Sequence, residues 1–596
     1  MELLRSLVRG IIPLLVVFLL SAAGAFLPAA DDGTDEPNVI LVGENGFQTI
    51  REAIDYARPG DIVKLAPGVY DEPVEVDKPI TLMGSGVQTI YTSTLVVSSN
   101  SVTLTGHTFQ NIYDNSTIHD WDFGGIVTRQ TTGNSPSDSY ITGLTVTQCK
   151  FVNCRQGIFL FGAKRSSVSD CDFYGCYRGI TINPHRIGNT IYWNSYSNTI
   201  KDCNFYNMVG SGIDDGEAIA MFDSNYNIVD NCYMDGNSYG VSITRGLGNV
   251  VRNCEIANST YAPLSVDSCT AANAVTISGN TFTDNGENLN ITSSSNFAVT
   301  SNTFSGNGRD IEIAQSSRFS FSSNSINGSA VFLNASASGA FTDNAFTTSD
   351  KQTFMFAGPQ GNYNHVIATS NTVGGRPIYY YYNDGAVTLP DADAGAILLA
   401  YSPNAIVTNS TVTDGDGVWV WYSNGCDIEA DITNCIYGAT VVGSTDVRLS
   451  GDINASDRGL RGINANAATV SVHDGEIAAP GAAKALLLEL DSDVTTYNVT
   501  FNHSDIEVVQ NTGGDLHVYH YLDIMVWDNG SVHGLDGVEI EITTDSVPVY
   551  ATLHFGGSDA TTDSMGEVND IPLLDREYLT SHTATTHTND VSVYRE

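Results

Sequence analysis

The chain has 596 residues, more than one compact core supports, yet only 16% are charged and the formal net charge is −41. So acidic a chain repels nucleic acid and anionic membranes, tolerates salt and attracts cations. Asn, Ser, Thr and Gly are abundant between short apolar runs, which suits a β-rich protein with many turns.

Residues 1–30 come first. "MELLRSLVRG" carries Arg5 and Arg9, and "IIPLLVVFLLSAAGAFL" supplies a short apolar core and small residues. This is the pattern of a secretory signal, with cleavage expected after Ala23 or Ala25. No later stretch approaches the roughly 20 apolar residues of a membrane span. The mature protein is therefore expected outside the cell or on its surface. Ten N-x-S/T sequons, Asn258 and Asn409 among them, fit an exported surface.

Within residues 31–86, "FQTIREAIDYA" reads as a short amphipathic helix and "GDIVKLAPGVYDEPVEVDKPITLMG" as the first strands. This order of parts, over residues 38–86, resembles the N-terminal cap of pectin-lyase-like right-handed β-helices. The resemblance implies a helix that blocks the end of a solenoid.

From 87 to 370 a repeat dominates. Short strands recur as "GIFLF" at 157, "GITIN" at 179, "AIAMF" at 218, "GVSIT" at 240 and "NLNIT" at 288, most steps being about 22 residues. A second strand accompanies each. One column reads Cys149, Cys171, Cys203, Cys232 and Cys254, then Asn280, Asn302, Asn324 and Asn344. Alternation fits these segments and a helical period does not. Each unit can bury its apolar face only by stacking on its neighbours. The fold expected is all-β: a parallel β-helix, right-handed by the resemblance, with a small β-sandwich after it. Asn in the column should ladder its amides from rung to rung. Cys should stack as buried thiols, with inter-rung disulfides the alternative. Cys154 and Cys176 form a second, shorter column.

Two rungs are long. Cys171 to Cys203 spans 32 residues and Cys203 to Cys232 spans 29. The surplus is "NPHRIGNTIYWNSYS" after one strand and "YNMVGSGIDDG" before the next. Loops that leave a rigid solenoid are where such folds carry function. Just past successive strands come Lys164 and Arg165, His185 and Arg186, Asp223, Arg245 and Asp267, a column of mixed charge. Later rungs offer plainer outward positions: Ser242, Ser265, Asn290 and Thr292. His185, Arg186, Glu217 and Asp223 are the candidate catalytic residues, and Asp214 and Asp215 the candidate cation ligands.

The chemistry that fits is cleavage or epimerisation of a uronate polysaccharide. A base removes the C5 proton, and a cation such as Ca²⁺ neutralises the adjacent carboxylate. Paired carboxylates could instead hydrolyse a glycoside. "NPHR" resembles the Asp-Pro-His segment of alginate epimerases, with Asn183 where that pattern has Asp. The plainer alternative is that these acids only make turns and solubilise the surface.

Residues 371–516 form a second section. "NTVGGRPIYYYYNDGAVTLPDADAGAILLAYSPNAIVTNSTV" resembles a block of archaeal NosD-like surface β-helix proteins. Its rungs are expected to end near "ALLLELD" at 485. Alternation points Trp419 and Trp421 outward, and with them either Tyr379 and Tyr381 or Tyr380 and Tyr382. Trp419, Trp421, Tyr380 and Tyr382 are the candidate carbohydrate-stacking residues. Residues 517–596 lose the repeat and resemble an Ig-like or carboxypeptidase-regulatory-like sandwich. Copper handling, which the NosD-like resemblance would imply, finds no clustered His or Met.

Two functions compete. One is an exported scaffold, adhesive or polysaccharide-binding surface protein, with envelope glycan or other surface proteins as partners. The other is a secreted lyase, epimerase or hydrolase acting at residues 183–223. Long runs of plain rungs favour the first.

Overall fold

The computed structural model describes residues 36–113, 124–128, 141–187, 190–210, 216–347, 352–455, 461–479, 484–509, 513–530, 533–579 and 584–595. The signal segment expected at 1–30 lies outside them.

The cap forms as expected. Helix α1 (Ile50–Tyr56) starts at Thr49, whose hydroxyl accepts the Glu52 N–H while the Glu52 carboxylate accepts the Thr49 N–H. Ile50, Ala53 and Ile54 are fully buried at the mouth of the solenoid.

Behind the cap, parallel strands stack into three long sheets. One has 14 strands, from Val39–Val42 to Val366–Ile367, and another has 12, from Val74–Val76 to Phe354–Ala357. The 12-stranded sheet includes β1 (Gln156–Phe161), β2 (Arg178–Asn183), β3 (Glu217–Phe222) and β4 (Tyr239–Thr244). Register is one to one: Ile158 pairs with Ile180, Ile180 with Ile219 and Ile219 with Val241. Like therefore stacks on like inside. Phe109, Phe151, Phe173 and Phe205 form a column with ring centroids 5.1, 4.6 and 4.6 Å apart.

The polar column behaves as its residues require. Nδ2 of Asn280, Asn302, Asn324 and Asn344 each donates to Oδ1 of the next Asn, at 3.0, 3.1, 2.9 and 2.7 Å, and the ladder runs on to Asn371. A second ladder, Asn198–Asn227–Asn249, satisfies another turn. All ten cysteines are free and buried. Turn positions with φ near +50°, such as Asp170, Asp202, Asn231 and Asn253, are held by Asp and Asn, which tolerate the left-handed region.

At Gly374 and Gly375, with φ of +59° and +80°, the chain reverses so that Val373 pairs with Arg376. Stacking then restarts through β5 (Arg376–Tyr382), β6 (Asp393–Ala400) and β7 (Ile406–Trp421). These strands bury both faces. Tyr379, Tyr381, Leu399 and Val420 line a second core, while Tyr380, Tyr382, Leu398, Trp419 and Trp421 join the first. This corrects the expectation of outward tryptophans: Trp419 and Trp421 are only 9% and 7% exposed. Tyr380 stacks on Phe356 at 5.5 Å and donates its hydroxyl to the Tyr363 carbonyl, and Trp421 meets Phe356 edge-on. Tyr382 is partly buried beside the same core. Alternation does separate the two faces of this sheet, but the second face packs on the last rung of the first section.

The solenoid also continues past 485. β8 (Asp493–Phe501) and β9 (Asp515–Met525) still pair in parallel, Tyr497 opposite Tyr519. β9 runs across the boundary expected at 517. The chain then adds β10 (Glu539–Thr544), β11 (Val547–Ala551), β12 (Glu567–Leu579) and β13 (Asn589–Tyr594). β12 pairs antiparallel with β9, and β10 lies between β11 and β13. Ile540, Ile542, Ile571 and Leu573 pack between these two sheets as a small separate core.

Candidate functional site

On β1 to β3, Ile158, Ile180 and Ile219 point into the solenoid. Their neighbours Phe159, Thr181 and Ala220 point outward yet are only 2%, 2% and 0% exposed. The outer face of the sheet is therefore enclosed over these three rungs.

At the start of the same strands, Gln156, Arg178 and Glu217 are stacked by the register. Arg178 Nε donates to Glu217 Oε2 at 2.9 Å and Nη2 to Oε1 at 3.4 Å. Both side chains are buried, 6% and 8% exposed. Their attraction offsets the desolvation of two charges, and loss of either would leave the other's buried charge without this counter-ion. Glu217 is thus committed to a neighbouring rung.

Asp223 sits at the far end of β3. Arg245, one rung on, holds it with two bonds, Nε to Oδ1 at 2.7 Å and Nη2 to Oδ2 at 2.9 Å. Six residues of extended chain, about 20 Å, separate Glu217 from Asp223. The two carboxylates do not share a site. His185 and Arg186 lie on a short strand, His185–Ile187, paired antiparallel with Thr190–Trp193. This hairpin leaves the parallel sheet directly after β2. Asp214 and Asp215 lie outside the described residues. Among the described residues, no group of three or more His, Cys, Asp or Glu is arranged to hold a metal ion.

Beyond the enclosed rungs the face opens. Ser242, Ser265, Asn290 and Glu312 follow one another in register, with Thr244, Asp267 and Thr292 in the adjacent column. Ser265 donates to Ser242 at 3.2 Å and Thr292 to Asp267 at 2.8 Å. Asn290 Oδ1 is buried from solvent and has no hydrogen-bond partner. Along one edge Tyr239 and Tyr261 stack at 4.9 Å, and Tyr261 is 40% exposed. The result is a flat strip of small hydrogen-bonding groups edged by an aromatic pair. Arg178 and this tyrosine pair are absent from the residues singled out in the sequence. Arg178 could have been found, because it precedes "GITIN" as Glu217 precedes "AIAMF".

A family model described as the right-handed β-helix region matches residues 80–246 and 217–383. The chain belongs to the right-handed β-helix family. No curated protein matches this β-helix chain in sequence. Solved structures similar to it include the A-module of a mannuronan C-5 epimerase from Azotobacter vinelandii, at 13% identity, covering 54% of this chain and 94% of that one, with a TM-score of 0.41. A surface adhesin of Streptococcus pneumoniae is similar at 15% identity, over 52% of this β-helix chain and 87% of its own, with a TM-score of 0.38. An alginate lyase from Paenibacillus is similar at 15% identity, over 56% and 98%, with a TM-score of 0.30. No helix among the described residues of the β-helix protein is long and apolar enough to cross a membrane.

Proposed function

We propose that this is an exported, non-catalytic surface solenoid that binds a polysaccharide along the open strip from Ser242 to Glu312. One observation carries the proposal: small polar side chains stand in register along the outer sheet face, beside an exposed tyrosine ring. Hydroxyls and amides at rung spacing match a ligand that repeats hydrogen-bonding groups along its length, and tyrosine rings stack on apolar sugar faces. The N-terminal signal pattern and the NosD-like block at 371 support an exported, archaeal-type surface protein. The Ig-like character of residues 517–596 belongs to the same picture.

The net charge of −41 disfavours polyanions, so a neutral envelope glycan is the ligand class. The alternative is a lyase, epimerase or hydrolase acting on uronate at 183–223. It would need Glu217 released from Arg178 and Asp223 from Arg245. Retention of neutral polysaccharides by the immobilised mature chain tests the proposal. Tyr261→Ala and Ser265→Arg should each weaken retention at least about tenfold, a loss of about 1.4 kcal/mol. Unchanged retention in both variants would remove the strip from the function.

A further inference from the structure

In the terminal unit, β10 lies between β11 and β13, so this sheet has two edges. An edge strand presents a row of unpaired N–H and C=O groups, and proteins blunt such rows with proline, bulges or lysine. β11 is blunted in this way. Pro548 lacks an N–H, and the register with β10 shifts between Ile542 and Thr543. β13 is not. It pairs with β10 over its whole length without a shift, from Asn589 opposite Thr544 to Tyr594 opposite Glu539. Its sequence, "NDVSVY", holds no Pro, Gly or Lys. Among the described residues, no strand pairs with its other side.

The side chains carry the same contrast. Val591 and Val593 stand opposite Ile542 and Ile540 on one face. The two isoleucines are fully buried against Ile571 and Leu573, whereas the valines are 47% and 51% exposed. The apolar face therefore runs on past the last covered strand.

This edge is complementary to itself. A two-fold axis through Ser592, perpendicular to the sheet, sets the β13 strands of two copies antiparallel. Val591 of each copy then faces Val593 of the other, on the face that already carries the isoleucines. Register by an even step keeps the apolar face of one copy continuous with that of the other. Asn589 faces Arg595 of the other copy, which brings that guanidinium beside Asp590, the one charged residue of the strand.

We infer that β13 joins two copies of this chain edge to edge, merging their three-stranded sheets into one antiparallel sheet. Main-chain hydrogen bonds hold the pair, and four valines extend the small core across it. The net charge of −41 on each copy opposes the contact at long range. Salt screens that repulsion and leaves the backbone ladder and the valines untouched. The pair should therefore be tighter in high salt. So short a ladder is well below a standard interface, which places the dissociation constant at about 10–100 μM.

The test is sedimentation of the full mature chain, from about 5 to about 500 μM, a range that brackets this constant. Dimer should grow with concentration, and the dissociation constant should fall at least about fivefold between ~0.05 and ~1 M salt. Val593→Lys puts a charge on the apolar face of the edge and should leave a monomer. Ser592→Cys tests the register without disturbing the core. The two introduced thiols lie directly across the axis, with Cβ atoms about 5 Å apart. Diamide should join them into a covalent dimer, while Val547→Cys, on the blunted edge, stays monomeric. The ten native cysteines are buried. A chain that is monomeric at every concentration in ~1 M salt overturns the inference. So does association unchanged in Val593→Lys, or cross-linking no greater at 592 than at 547.

Discussion

Asp416 is the residue whose chemistry sits least comfortably in the fold. It is fully buried where the two solenoid sections meet; Oδ2 accepts the Thr353 N–H at 2.8 Å and Oδ1 has no partner. Burial pushes its carboxyl up to about 6 from 3.8. The folded state therefore holds a proton that the unfolded chain gives up. Stability falls as pH rises from about 4 through 6, and the whole penalty, about 3 kcal/mol, is present above that. Asp416→Asn should stabilise the chain by up to about 3 kcal/mol at pH 8 and by little at pH 4, as urea unfolding at both pH values would show. The two ion pairs of the expected site should differ as sharply. Glu217→Gln removes the carboxylate charge that the buried Arg178 pairs with and should cost about 3–5 kcal/mol. Asp223→Asn frees an Arg245 that is 52% exposed and should cost about 1 kcal/mol or less.

Strands and turns were legible because the solenoid repeats one solution to one problem. The Cys and Asn column is read directly from spacing, since the same turn must satisfy its backbone at every rung. Removing one step of the ladder should show this. Asn302→Ala leaves the Asn280 amide and the Ile277 carbonyl without partners, at about 1–3 kcal/mol for each group left buried and unsatisfied. A chemical-denaturation midpoint lowered far more than by Asn327→Ala, on an exposed position, would be the expected result. What spacing could not reveal was the second face of β5 to β7. Alternation says that Trp419 and Val420 point opposite ways, but not that both directions lead to apolar neighbours. The 485 boundary came too early because "DVTTYNVTF" buries Val494 and Thr496, slips by one residue at Asn498 (φ 54°) and then buries Val499 and Phe501, so no single period runs through it. The site was half legible. Glu217 and Asp223 were visible as acids, but their arginines one rung away close them, and only register shows it.

For the whole molecule, charge and buried histidine set the working range. Screening should favour the compact state of a chain at −41, so the melting temperature should rise between ~0.01 and ~1 M salt as the Debye length falls from about 30 to 3 Å. His107 and His365 are both buried, and burial lowers each to about 4. The unfolded chain binds those protons first, so stability should drop as pH falls from 6.5 through 4, by roughly 3 kcal/mol for each histidine. The proposed binding face is one long sheet: Glu217 and Asp223 are paired with arginines at one end, and Ser242, Ser265 and Asn290 stand in register at the other. The most direct measurement incubates the mature chain in parallel with a neutral polysaccharide it retains and with uronate polysaccharides, and follows polymer length, unsaturated ends and sugar composition over time. The account predicts an unchanged polymer and retention that is lost in Tyr261→Ala. Shortened chains, new unsaturated ends or inverted uronates would contradict it and return the function to catalysis at the long rungs.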